Sequence, residues 1–166
     1  MTPLHDRPLL YLAAPLFSDA ELNFNSKVAS LLEQFVDVYL PQRDGGKLVD
    51  LVAQGVPVSD AYRSIFSRDL EALRESHALL IILDGRCVDE GAAFELGVAF
   101  SAGKCCIGLQ TDSRRLLPLG NNPMIECALE RVLVNTYETC DWAREFATRT
   151  RGTIPASKKH GYQLFA

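Results

Sequence analysis

The chain has 166 residues, 48% hydrophobic and 23% charged, with 17 Lys and Arg against 21 Asp and Glu for a formal net charge of −4. That length suits a single domain over residues 1–166, burying roughly 70% of its unfolded surface, and the apolar content excludes a chain dominated by disorder. The mild acidity argues against nucleic acid as a partner, which calls for a basic face. No apolar run approaches the roughly 20 residues of a membrane span. The first residues lack the apolar stretch of a secretory signal. Five cysteines without a CxxC pair read as reduced thiols, so the expectation is a cytoplasmic protein with no membrane association.

Residues 9–14 (LLYLAA) are a short apolar run closed by Pro15 and predict a buried strand. Ser18 or Asp19 can cap a following helix to about residue 35, in which Leu22, Val28, Leu31, Leu32 and Phe35 recur near helical spacing. Residues 36–40 (VDVYL) predict a second strand, stopped by Pro41. Residues 41–57 predict a long loop with one helical turn at 48–53; a loop of that length in a compact domain is more often functional than idle. Ser59 is placed to cap a helix over 60–75, with Ile65, Phe66, Leu70 and Leu73 on one side. Residues 77–84 (HALLIILD) predict a central strand covered on both faces. A loop over 85–90 leads into a helix over 91–102, ended by Gly103, and then a strand over 105–111. A loop over 112–123, a helix near 124–131, a short strand at 132–135 and a helix near 140–150 follow. The tail is basic and ends apolar, with Tyr162, Leu164 and Phe165.

Strands alternating with helices predict a doubly wound α/β fold, a mostly parallel five-stranded sheet with helices on both faces. Ligands of such sheets sit beyond the carboxyl ends of the strands, which singles out the loops after Ala14, Asp84 and Thr111. Several common sites are missing from the sequence. No GxGxxG follows the first strand, and there is no GxxxxGK[ST] phosphate loop and no GxSxG elbow. His5, His77 and His160 lack metal-ligand spacing. The cysteines have no obvious His or metal partner.

Carboxylates remain. Asp84, Asp89, Glu90 and Glu95 crowd the loop after the central strand and the next helix, and Asp69 lies on the helix before it. Glu95 sits among Ala93, Phe94, Leu96 and Gly97, where a charge is costly unless paired or used. The helix N-terminus favours its ionised form, while Asp89 pushes its pKa upward. A carboxylate so placed suits attack on a sugar carbon, with a second carboxyl group as acid. The plainer alternative has Asp89 and Glu90 capping the helix and Glu95 in solvent.

Three stretches, residues 11–17 (YLAAPLF), residues 68–78 (RDLEALRESHA) and residues 89–97 (DEGAAFELG) followed by Gly103 and Lys104, resemble the nucleoside 2-deoxyribosyltransferase family. Residues 111–115 (TDSRR) and 122–125 (NPMI) add weaker support, and the match runs in order over about 9–126. The resemblance implies a flavodoxin-like fold and a double displacement at the anomeric carbon, without metal or cofactor. Glu95 would attack C1′ of a 2′-deoxynucleoside and expel the base, and a free nucleobase would then attack the covalent ester with net retention. Asp69 would protonate the leaving base. Tyr11 would orient the Glu95 carboxylate, and Asp89 would hold the sugar 3′-hydroxyl. Phe17 would stack on the base. Asn122 would reach the 5′-hydroxyl of a neighbouring subunit's substrate, which implies a homo-oligomer. For Asp69, Tyr11, Phe17 and Asn122 the alternatives are a surface helix residue, a core tyrosine, an apolar cap and a turn before Pro123.

The family often has Gly where this chain has Ala14, which removes access to φ > 0. Related nucleotide hydrolases carry Gly, Ser and Arg in the first loop to read a 5′-phosphate. Residues 13–17 (AAPLF) hold neither Gly nor Arg, favouring a free nucleoside. Three activities stay open: base exchange, hydrolysis of a 2′-deoxynucleoside or its 5′-monophosphate, and non-catalytic nucleoside binding.

Overall fold

The computed structural model describes residues 7–114 and 120–151. Five strands, β1 (Leu9–Ala13), β2 (Asp37–Tyr39), β3 (Ala78–Ile82), β4 (Cys105–Leu109) and β5 (Arg131–Leu133), form one sheet in the order β2-β1-β3-β4-β5. All four pairings are parallel. The fold is flavodoxin-like, as expected. The chain runs outward from β1 to β2 and then returns to the other side of β1, so the carboxyl ends of β1 and β3 flank the point where the winding reverses.

Helices α1 (Asp19–Leu32) and α6 (Thr136–Thr150) cover one face. There Leu10 and Leu12 of β1 pack with Val28, Leu32, Trp142 and Phe146. Helices α3 (Val58–Glu75) and α4 (Glu90–Ser101) cover the other, where Tyr11, Ala13, Leu79 and Ile81 meet Leu73 and Leu96. The alternation along β1 thus sends Tyr11 to the α3–α4 side. β3 is buried along its whole length, as its unbroken apolar run predicts.

Boundaries differ where local signals competed. Helix α1 is capped by Ser18 in a reciprocal box with Glu21, but stops at Leu32 because the amides of Phe35 and Val36 both turn back to its carbonyl. Ser59 does not cap α3. The helix starts at Val58 behind Pro57, whose φ of −55° suits a helix entry and whose carbonyl accepts from Asp60 and Ala61. The 41–57 stretch is more ordered than a loop, with a π-helical turn at Pro41–Gly45 and a short α2 at Leu48–Ala53. The helix expected at 124–131 is one turn, α5 (Pro123–Glu126), and β5 begins earlier than expected. Helix α6 starts four residues before the expected 140, where Asn135 caps Glu138 N and the Glu138 carboxylate accepts from Val134 N. Its polar first turn carries no apolar periodicity. The apolar end at Tyr162, Leu164 and Phe165 lies outside the described residues.

Candidate active site

A cavity of about 700 Å³ opens beside the carboxyl ends of β1 and β2, walled by α3, α4, the loop after β1 and the Pro41–Gly45 turn. Helix α3 contributes Tyr62, Ile65, Phe66, Asp69, Leu70 and Leu73, a stripe at helical spacing. Much of this stripe is a cavity wall rather than core: Ala61, Ala72 and Leu73 are the buried contacts of α3, while Phe66 stays exposed, 6.2 Å from the exposed Phe94 ring.

Tyr11, Asp69 and Glu95 all line this cavity. The Tyr11 ring is fully buried, and its hydroxyl donates to Glu95 Oε1 at 2.5 Å. Two opposing influences act on the Glu95 carboxyl. Burial raises its pKa most, the Tyr11 hydroxyl lowers it, and Asp69 and Asp89 raise it further, to about 8. Burial and the neighbouring carboxylates therefore set the direction, against the ionised form that the helix N-terminus is expected to favour. Burial and Glu95 together hold the Tyr11 hydroxyl protonated, a lasting donor.

Asp69 has its own tyrosine. The β1–β2 register pairs Tyr11 with Tyr39, the two rings stack at 5.3 Å and 22°, and the Tyr39 hydroxyl donates to Asp69 Oδ1 at 2.7 Å. Burial raises the pKa of Asp69, against the lowering effects of Tyr39 and Arg68. Gly45 lies directly behind this carboxyl group, and a Cβ there would collide with Asp69 Oδ1.

The rim is tied together by amides. Asn25, 1% exposed, donates through Nδ2 to Pro15 O at 2.8 Å and to Gln42 Oε1 at 2.9 Å. Gln42 Nε2 donates to Leu22 O and Ser26 Oγ. The loop after β1 is thereby clamped to the turn after β2. Ala14 is accommodated without strain, since no described residue other than glycine has positive φ.

Asp89 caps α4, accepting from Ala92 N at 2.9 Å, and does not line the cavity, although its charge reaches Glu95. Phe17, 79% exposed, stands at the cavity wall. Asn122 is elsewhere: it caps α5 through Met124 N and lines a separate cavity of about 400 Å³ with Gln110 and Asn121. Asp84 serves structure, accepting from Thr111 N, Thr111 Oγ1 and Asp112 N to join the ends of β3 and β4. Among the described residues no group of three or more His, Cys, Asp and Glu is arranged to hold a metal ion. Sequence reading missed Tyr39, Gly45, Asn25 and Gln42. Only Tyr39 had a signal, as the aromatic residue one place before the end of the second predicted strand.

The nucleoside 2-deoxyribosyltransferase profile matches residues 10–158. The chain belongs to this family. No curated protein sequence matches. Among solved structures, a conserved protein from Enterococcus faecalis V583 is 26% identical with a TM-score of 0.65, over 84% of this chain and 99% of that one. A 2-deoxyribosyltransferase from Bacillus psychrosaccharolyticus is 20% identical with a TM-score of 0.63, over 84% and 95%. One from Leishmania mexicana is 19% identical with a TM-score of 0.60, over 83% and 97%. The last two likenesses speak for the deoxyribosyltransferase fold. Among the described residues no helix is long and apolar enough to cross a membrane.

Proposed function

We propose that this member of the nucleoside 2-deoxyribosyltransferase family exchanges bases on 2′-deoxynucleosides through a covalent ester on Glu95. The observation that carries the reading is one cavity lined by two carboxyl groups, Glu95 bound by Tyr11 and Asp69 bound by Tyr39. In the reacting form the proton of the pair rests on Asp69, and the ionised Glu95 oxygen forms a bond to C1′ as the C1′–N bond breaks. The Asp69 proton goes to the departing base, which leaves poorly as an anion. An incoming base then displaces Glu95 from the same face, and its proton returns to Asp69. Two inversions retain the configuration.

The apolar walls receive the base, with Phe17 stacking on it. Asp89, whose carboxyl group lies behind the lining residue Gly91, reaches the 3′-hydroxyl at the cavity edge while one of its oxygens keeps the helix cap. Lys47 is the one cation among the described lining residues, set against Asp69 and Glu95. That balance favours a neutral nucleoside over a 5′-monophosphate. Asn122, which lines a separate cavity and not that of Glu95, would complete the site of a neighbouring subunit in a homo-oligomer.

Incubation with 2′-deoxyinosine and adenine, followed by chromatography, tests the reading. Deoxyadenosine is the expected product; free deoxyribose alone would mean hydrolysis. A 2-fluoro-arabinosyl nucleoside should leave its sugar mass on the peptide carrying Glu95. Unchanged base exchange in Glu95→Ala removes the nucleophile assignment.

A further inference from the structure

We propose that Tyr39 is a positioning residue for the proton donor, holding Asp69 Oδ1 so that Oδ2 carries the proton that leaves with the base. The inference rests on the acid role of Asp69 stated above. Three observations carry it. The Tyr39 hydroxyl is 2.7 Å from Asp69 Oδ1. The Tyr39 ring is buried and fixed against Tyr11 by the stack. Gly45 meets the same carboxyl from behind, Oδ1 being the nearer oxygen, so the space there admits no side chain. Oδ1 is therefore enclosed by Tyr39 and Gly45, and Oδ2 is the oxygen left for a ligand.

The arrangement acts during the reaction as well as before it. While Asp69 is protonated, the Tyr39 bond is an ordinary neutral one. As the proton passes from Oδ2 to the base, the carboxylate forms and the same O–H···O contact becomes charge-assisted, roughly twice as strong. A bond that strengthens along the reaction lowers the barrier rather than merely tightening binding. In the second half-reaction the incoming base returns its proton to Oδ2. The other groups that interact with Asp69 are Arg68 on its own helix, Glu95 on α4 and Tyr11 on β1, and Lys47 lines the same cavity. Of these, Arg68 donates to Gly45 O and Tyr11 to Glu95 Oε1.

Tyr39→Phe keeps the ring and removes the donor. With 2′-deoxyinosine and adenine, kcat should fall about 10- to 100-fold with KM little changed. With 4-nitrophenyl 2-deoxyriboside, whose leaving group departs without a proton, the loss should stay under about threefold. One limb of the kcat/KM pH profile should also move to higher pH, and not the limb that Tyr11→Phe moves. Gly45→Ala, which displaces the Asp69 carboxyl from Tyr39, should give the same split and serves if Tyr39→Phe does not fold. Equal losses on both substrates, or full nucleoside activity, overturn the inference. If the aryl substrate is not turned over, an unmoved pH limb overturns it. Wild-type protein that exchanges no bases overturns this inference together with the proposed function.

Discussion

Replacing Glu95 by Gln isolates the cost of placing an ionisable group in the cavity wall. The carboxyl pKa is about 8 in the folded chain against an ordinary 4.5. Between those values the folded state keeps a proton that the unfolded chain has released. Stability contributed by this group is therefore full below pH 4.5 and is lost as pH rises through 8. At 1.36 kcal/mol for each pKa unit the loss reaches roughly 5 kcal/mol at most. The cavity is open to water, so about 2–5 kcal/mol is expected. Gln keeps the shape and an acceptor for the Tyr11 hydroxyl but does not titrate. In urea melts Glu95→Gln should match the wild type within about 1 kcal/mol at pH 5 and exceed it by about 2–5 kcal/mol at pH 8.5. Groups that do not interact with Glu95 cancel in that difference, and its coupling to Asp69 and Asp89 is part of what the difference reads. A difference that stays flat from pH 5 to 8.5 would refute the burial of this carboxyl. The same variant should exchange no bases at any pH.

Tyr11→Phe removes the hydrogen bond that lowers the Glu95 pKa, so the corresponding limb of kcat/KM should move to higher pH and the rate at pH 7 should fall about tenfold; an unmoved limb counts against the contact. Asp89→Asn keeps a good helix cap but removes the charge. Stability should change by under about 1 kcal/mol, the Glu95 limb should move to lower pH, and KM should rise if the 3′-hydroxyl binds there. Asn25→Ala takes the Nδ2 donor away from Pro15 O and Gln42 Oε1 and should cost about 1–3 kcal/mol in a urea melt; a neutral result would show that the rim holds without the clamp.

Much of this protein is written locally. The unbroken apolar run of β3 could bury both faces only as a central parallel strand, and the box of Ser18 with Glu21 marks the start of α1 without reference to anything distant. The DEGAAFELG stretch, with a carboxylate inside an apolar helix, singled out Glu95 because a charge there needs a reason. Other features exist only once strands are paired and helices packed. The parallel register of β1 with β2 brings Tyr39 beside Tyr11 across 28 positions of sequence, and no spacing in either strand announces it. The π-helical turn, its Gly45 against Asp69, and the Asn25–Gln42 clamp are likewise agreements between segments with no shared local signal. Periodicity also could not say that the apolar stripe of α3 would end as a cavity wall, since an apolar side chain looks the same whether its partner is the sheet or a ligand. Local chemistry pointed to Glu95; which hydroxyl holds which carboxyl oxygen was decided by long-range contact, where the chain's own geometry replaces water as the solvent of those charges.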